Sequence, residues 1–312
     1  MRSIVTLTMN PALDVSTTVP YFLPDQKLRC QAPRYEPGGG GINVARAVRR
    51  LGGDALACFP IAGPAGDRLR GLLDAEGVRH TIVPVRGWTR ENLNVLEQVS
   101  GRQFRFLMPG PALGEDEWPH FLEWVERLQP APDFVVASGS LPPGVPGDFY
   151  ARLARLVRRI GSRLVLDTSG AALAAAVREG VYLLKPSLLE FRALAESPGD
   201  DADLAAIAAA AVRERHWCEV LVLSLGAGGA LWVDAQERER LAAPAVPVKS
   251  TVGAGDSMVA AIVVMLASGR PVREAVRFGV AAGAAAVMNP GTELCQRADA
   301  ERLVDQVLAS SG

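Results

Sequence analysis

Near the carboxyl end of the chain, Thr251-Val252-Gly253-Ala254-Gly255-Asp256-Ser257 sets two glycines and a carboxylate at the entrance to an apolar helical run. The glycines let the backbone turn sharply and approach a ligand closely. A helix start offers free N–H groups and a partial positive charge, which together attract an anion such as phosphate. A carboxylate beside a phosphate is repelled unless it takes up a proton or helps hold a cation. One reading therefore makes Asp256 a base that removes the proton of an attacking hydroxyl. The other makes it a helix N-cap, with Gly253 and Gly255 serving only the turn. The sequence leaves both standing.

A second cluster, Pro37-Gly38-Gly39-Gly40-Gly41-Ile42-Asn43, places four glycines before another helical pattern. Such a run is costly in chain entropy. It either exposes backbone N–H groups to a polyhydroxy or phosphorylated ligand, with Asn43 donating and accepting hydrogen bonds, or is a flexible turn. Two patterns are absent. No GxxxxGK[ST] occurs, which excludes a P-loop enzyme. No GxGxxG follows a strand with an acid about twenty residues on, which makes a dinucleotide-binding reading poor.

The elements that must hold these turns alternate along the chain. Apolar runs at 3–8, 55–63, 134–140, 163–169, 181–187 and 219–226 read as buried strands. Helical patterns at 41–51, 67–76, 149–160, 203–214, 258–267, 272–288 and 299–308 lie between or after them. Buried strands separated by helices imply a mostly parallel sheet covered on both faces. Ligands bind such sheets beyond the carboxyl ends of the strands, where Ser138 to Ser140, Asp167, Lys185 and Ser224 to Gly226 fall. Segments 14–36 and 88–108 instead alternate, with Ser100-Gly101 as a turn, and read as hairpins outside the main sheet. A flap of this kind with one apolar face covers a site or a partner.

Composition narrows the class. A chain of 312 residues, 49% apolar, suits one large domain. A net charge of -1 gives no footing for nucleic acid or an anionic membrane, and no apolar run approaches the roughly 18 residues of a membrane span. Cys30, Cys58, Cys218 and Cys295 form no CxxC pair, and His80, His120 and His216 are scattered. Free thiols suit a reducing cytosol, so a cytoplasmic protein is expected. Only three lysines, Lys27, Lys185 and Lys249, stand among thirty arginines; a lysine kept in that setting is a compact point charge that arginine cannot mimic.

Taken together, the residues resemble the ribokinase-like (PfkB) carbohydrate kinases. GGGGINVARAVRRLGG (38–53) looks like the family's early signature and STVGAGDSMVAA (250–261) like its late one. The similarity runs over essentially the whole chain. LTMNPALD (7–14), KLRC (27–30), WTRENL (88–93), FRFLMPG (104–110), SGSLPPGV (138–145) and GTELC (291–295) resemble the ATP-dependent 6-phosphofructokinases of PfkB type within it. The resemblance implies an α/β three-layer sandwich with a mostly parallel central sheet and a small β-sheet lid. It implies a single kinase domain over 1–312, with lid segments at about 14–36 and 88–108.

The implied activity is transfer of the ATP γ-phosphoryl group to the C1 hydroxyl of fructose 6-phosphate. Fructose 1-phosphate, tagatose 6-phosphate, an unphosphorylated sugar or nucleoside, and a non-catalytic sensor are the alternatives. By resemblance, Asp256 is the base, and Gly253, Ala254 and Gly255 form the anion hole with it. Asp14, Gly39, Asn43 and Ser138 bind the sugar. Arg90 and Arg105 hold its phosphate; a flap bearing ordinary solvated arginines is the plain alternative. Lys27, Lys185, Ser187, Ser224, Gly226 and Gly229 face ATP. Glu190 is tied to Mg²⁺, with Ser187 standing where the family carries an asparagine. Oxygens of Ser250, Val252, Ala286, Asn289, Gly291 and Glu293 would hold K⁺. The resemblance also implies a homodimer joined through the lid.

Overall fold

The computed structural model describes residues 2–196 and 201–310. In chain order the elements are β1 (Ile4–Leu7), β2 (Ala12–Val19), β3 (Arg34–Gly38), α1 (Gly40–Arg50), β4 (Leu56–Ile61), α2 (Gly63–Ala75), β5 (His80–Pro84), β6 (Arg90–Glu97), β7 (Gln103–Phe106) and α3 (Pro119–Glu126). There follow β8 (Phe134–Ser138), α4 (Phe149–Arg159), β9 (Arg163–Asp167), α5 (Gly170–Ala176), β10 (Val181–Leu184), α6 (Leu188–Ala195), α7 (Asp201–Arg213) and β11 (Cys218–Ser224). The chain continues with β12 (Ala230–Val233), β13 (Arg238–Ala242), α8 (Ala254–Ala267), α9 (Val272–Val287), α10 (Arg297–Leu303) and β14 (Leu308–Ser310).

Ten strands form the main sheet in the order β14-β13-β12-β11-β10-β9-β8-β1-β4-β5. From β11 to β5 every pairing is parallel, whereas β12, β13 and β14 add an antiparallel margin. The parallel strands are apolar on both faces because helices cover both. In β8, Phe134 and Val136 enter a core with α1, α2, α8, α9 and α10, while Val135 and Ala137 enter the opposite core with α3 to α7. This is the expected three-layer sandwich.

The two alternating segments pair into one small sheet, β3-β2-β6-β7. β2 and β3, like β6 and β7, are antiparallel, and a parallel β2–β6 pairing joins them. Register puts Asp14, Ser16, Asn92, Asn94, Arg90, Arg105 and Glu36 on one face, because side chains alternate along a strand. Phe22, from the β2–β3 connection, stacks on Phe104 at a centroid distance of 4.1 Å.

Three expected boundaries shift by four residues or more, and one is that α2 begins at Gly63 rather than Asp67. α8 begins at Ala254 rather than Met258, so the glycine turn is already part of the helix start. The final helix stops at Leu303, and after one 3-10 turn the chain ends its described course as β14 on the sheet margin.

Candidate active site

The parallel strands deliver their last residues to one rim: Ser138 closes β8, Asp167 closes β9, Lys185 follows β10, and Ser224 closes β11. The starts of α1 and α8 meet the same rim, because Asn43 Nδ2 donates to Asp256 Oδ2 at 3.0 Å across 213 residues of chain.

The N-cap reading of Asp256 fails. The cap position is Gly253, at φ 76°, where a side chain would be strained, and it carries no side-chain cap. Asp256 is the third helical residue, and its carboxylate turns away from its own helix to Asn43. Asn43 is itself oriented, since its Oδ1 accepts from Arg46 Nη1 at 3.3 Å. Arg46 is 2% exposed and is fixed by a two-pronged contact with Glu76 at 2.6 and 2.8 Å. A buried guanidinium thus settles which end of the Asn43 amide faces the acid.

The surroundings oppose ionisation of Asp256. Burial of its carboxyl among protein atoms is the largest influence, reinforced by Asp167 and Asp14 and offset by Asn43 and Lys185; its pKa stands at about 6. The residue nonetheless keeps part of its surface open to the cleft. Burial pulls Lys185 down, but Asp167, Glu190 and Asp256 outweigh it, so the ammonium is held protonated. Lys185 Nζ lies 3.2 Å from Asp167 Oδ1. A methyl on Gly255 would come within 3.4 Å of that ammonium, which puts the lysine over the first turn of α8.

The glycine run is packed rather than flexible. Gly39 holds φ 112° as the N-cap of α1. A Cβ on Gly40 would fall 2.2 Å from Ser138 Oγ, so α1 can approach β8 only with glycine there. Asp14 is 8% exposed and accepts from Asn92 Nδ2 at 2.9 Å. Burial raises its pKa, and the Asn92 hydrogen bond, Arg90 and Arg105 offset part of that. Arg90 donates to the carbonyls of Asn10, Pro11 and Met108, which anchors its guanidinium at the edge of the small sheet. Arg105 stands exposed opposite Asn94.

On the far side, Ser187 and Ser224 meet through a lone bridge, and Ser224 Oγ donates to Pro186 O. Gly226 and Gly229 adopt φ of 60° and 87°. Ser187 and Glu190 form a reciprocal capping box at the start of α6, with Glu190 Oε2 accepting from Ser187 N at 2.7 Å. Glu190 is therefore half committed to its own helix. Lys27 lies exposed on the β2–β3 connection.

The loop before α8 is knitted to the loop after α9. Ser250 Oγ donates to Gly291 O at 2.6 Å, Lys249 N to Val287 O, and Asn289 N to Ala286 O. Ser250, Val252, Ala286, Asn289, Gly291 and Glu293 are thus neighbours. Among the described residues no three His, Cys, Asp or Glu side chains gather as a metal site, the four cysteines are free, and no helix is long and apolar enough to cross a membrane.

Three contributors escaped the sequence reading of site residues. Asn92 lies two positions beyond Arg90 and hence on the same face, a signal that was available. Asn10 Nδ2 donates to Ser140 Oγ at 3.2 Å. Arg46 lies inside the 38–53 stretch, but nothing in its type or spacing singles it out.

A phosphate-attracting helix start, an acid of raised pKa within it and a polar sheet face with two arginines define a phosphoryl-transfer enzyme acting on a hydroxyl. The chain belongs to the pfkB family of carbohydrate kinases, which it matches over residues 5–299. It is 45% identical over 302 residues to an ATP-dependent 6-phosphofructokinase isozyme 2 of Mycobacterium tuberculosis, covering 97% of this chain and 89% of the relative. Crystal structures of the phosphofructokinase-2 of Escherichia coli superpose on it closely. The complex with potassium has a TM-score of 0.94 at 44% identity, covering 98% of this chain and 99% of that one. The complex with fructose 6-phosphate has a TM-score of 0.93 at 42% identity, with the same coverage.

Proposed function

We propose that this chain is an ATP-dependent 6-phosphofructokinase that transfers the γ-phosphoryl group of ATP to the C1 hydroxyl of fructose 6-phosphate, acting in glycolysis. The observation that carries the reading is the Asn43–Asp256 contact, which sets an acid with a pKa of about 6 in the open first turn of α8. An acid so tuned is ionised at neutral pH yet basic enough to accept a hydroxyl proton.

In this reading Asp256 takes the C1 proton as the oxygen attacks in line. The amides of Gly253, Ala254 and Gly255 and the α8 dipole stabilise charge on the moving phosphoryl group. Asp14, Gly39, Asn43 and Ser138 hold the sugar hydroxyls. Arg90 and Arg105 neutralise the 6-phosphate, a dianion that their planar donors suit. Lys185, already over the α8 start, meets the nucleotide phosphates, with Ser187, Ser224, Gly226 and Gly229 along the nucleotide and Lys27 reaching it from the β2–β3 connection. Mg²⁺ would be held by the nucleotide phosphates beside Glu190, whose nearness to Lys185 keeps the local charge balanced. Carbonyls of the knitted 249–252 and 286–293 loops fit a monovalent cation such as K⁺.

The chain then works as one kinase unit over 1–312, with the small sheet as a lid that excludes water. Tyr21 (55%), Leu23 (45%), Val99 (66%), Leu107 (61%) and Met108 (46%) are exposed around that sheet, which supports a homodimer through it. Free thiols support a cytoplasmic location.

A coupled assay at fixed Mg-ATP with K⁺ tests the reading on fructose 6-phosphate, fructose 1-phosphate, tagatose 6-phosphate and free fructose. The highest kcat/KM belongs to fructose 6-phosphate. Preference for another sugar phosphate would move the substrate. Turnover of free fructose alone would dismiss the arginine clamp. No ATP consumption with any sugar would leave a sensor.

A further inference from the structure

Beyond Asp14 and Asn92, the inward face of the small sheet continues to Ser16 and Asn94 and then Thr18, and it roofs a cavity of about 250 Å³. Lys249, Val252, Pro290 and Gly291 form the floor. Glu36 opens into this cavity although it is only 3% exposed.

The lining gathers buried oxygens without partners, while its donors Arg34, Gln103 and Lys249 are exposed side chains. Neither carboxylate oxygen of Glu36 has a hydrogen-bond partner, and the same holds for Ser16 Oγ, Thr18 Oγ1 and Asn94 Oδ1, all of them buried atoms. Glu36 Oε2 and Ser16 Oγ converge on Gly291, where a Cβ would lie 3.5 and 3.9 Å from them. Arg34 Nη2 approaches Glu36 Oε1 at 3.3 Å, but the same guanidinium nitrogen is held more closely by Glu293 at 2.6 Å. One guanidinium shared between two carboxylates leaves a deficit of positive charge. A buried carboxylate oxygen without a partner is among the most destabilising features a fold can carry.

We propose that this cavity is a monovalent-cation site whose ligands are side chains: the Glu36 carboxylate, the Ser16 hydroxyl and the Asn94 amide oxygen. The donor set is hard and all oxygen, which suits alkali and alkaline-earth ions over soft metals. A single carboxylate, half neutralised by Arg34, is too little charge for a divalent ion, whose sites gather several carboxylates. The site differs from the carbonyls of the knitted loops in chemistry and in origin, because its ligands come from the small sheet. An ion there would tie that sheet to the loop that leads into Gly253. The rival occupant is built in: Lys249 is exposed at the cavity, and its ammonium would take the place of an ion if it swung onto Glu36.

The test is anomalous diffraction from crystals of the full chain grown with Rb⁺ or Tl⁺ salts. A peak in contact with Glu36 and Ser16 is expected, absent in Glu36→Gln and weakened in Asn94→Ala. In solution, equilibrium dialysis against radioactive rubidium is expected to count one ion fewer in Glu36→Gln than in the parent. Circular dichroism checks that both variants fold, and Asn94→Ala serves if Glu36→Gln does not. Peaks confined to the loop carbonyls, water alone at Glu36, or Lys249 Nζ seated on Glu36 would each overturn the proposal. Ion counting needs no turnover, so a failed kinase assay leaves this result readable.

Discussion

Replacing Asp256 by asparagine separates what the site does from what it costs the fold. The parent carboxyl has a pKa of about 6 against an ordinary 3.8. Folding therefore holds its proton more tightly than the unfolded chain does. Between pH 4 and 6 the native state binds more protons, so its stability falls as pH rises and is level above that window. The difference of about 2 pKa units corresponds to at most about 3 kcal/mol at neutral pH. The amide of Asp256→Asn does not titrate, and Arg46 fixes Asn43 so that this amide can present its oxygen to Asn43 Nδ2. Urea denaturation should then show the variant more stable than the parent by up to about 3 kcal/mol at pH 7.5, with the gap closing toward pH 4. Asp14 and Asp167 remain in both proteins, and their repulsion of the Asp256 carboxylate is part of the gap, lost when the charge is removed. Turnover should fall by about 10²–10⁴-fold, the usual contribution of a general base. The parent's kcat/KM, which reports the free enzyme, should rise with pH through about 6 once the titration of the free sugar phosphate in the same range is divided out. A kcat within tenfold of the parent would place the base elsewhere. A stability gap that is flat with pH would refute the burial argument.

The remaining predictions concern residues that aim the site. Arg46→Met should destabilise by about 1–3 kcal/mol, because it leaves Pro37 O and Asn43 Oδ1 without their buried donor, and should lower kcat while leaving the KM for ATP unchanged; thermal melts and steady-state kinetics check both, and Glu76→Gln, which leaves the buried guanidinium without its counter-charge, should also destabilise. Arg105→Ala should raise the KM for the sugar phosphate by about 10–100-fold, the worth of a charge-assisted hydrogen bond, with the KM for ATP unmoved. Equal changes in both constants would contradict the assignment of Arg105 to the phosphate.

Legibility in the sequence follows the range of the interaction. The central strands were readable because a parallel strand buried on both faces must be apolar along its whole length, as in Phe134–Ser138. β13 (RERLA) and β14 were not, since a charged marginal strand and a three-residue strand after a helix carry no such run. The small sheet showed its alternation, but the parallel β2–β6 pairing is a choice of partner across about eighty residues that no local pattern encodes. At the site, the glycine turns announced themselves because backbone that must come close to something leaves glycine behind. Ser187 and Glu190 were read only as an element tied to Mg²⁺, yet Ser-x-x-Glu is also the pattern of a capping box, and the fold uses it as one, which holds one carboxylate oxygen. Arg46 shows the limit. Its partners Glu76 and Asn43 lie thirty and three residues away, and only when α1 and the end of α2 meet does a buried arginine become the group that turns an amide toward the Asp256 carboxyl. Residues that touch a ligand leave composition and spacing behind them; residues that aim those residues leave only a buried charge, which becomes visible once the chain is folded.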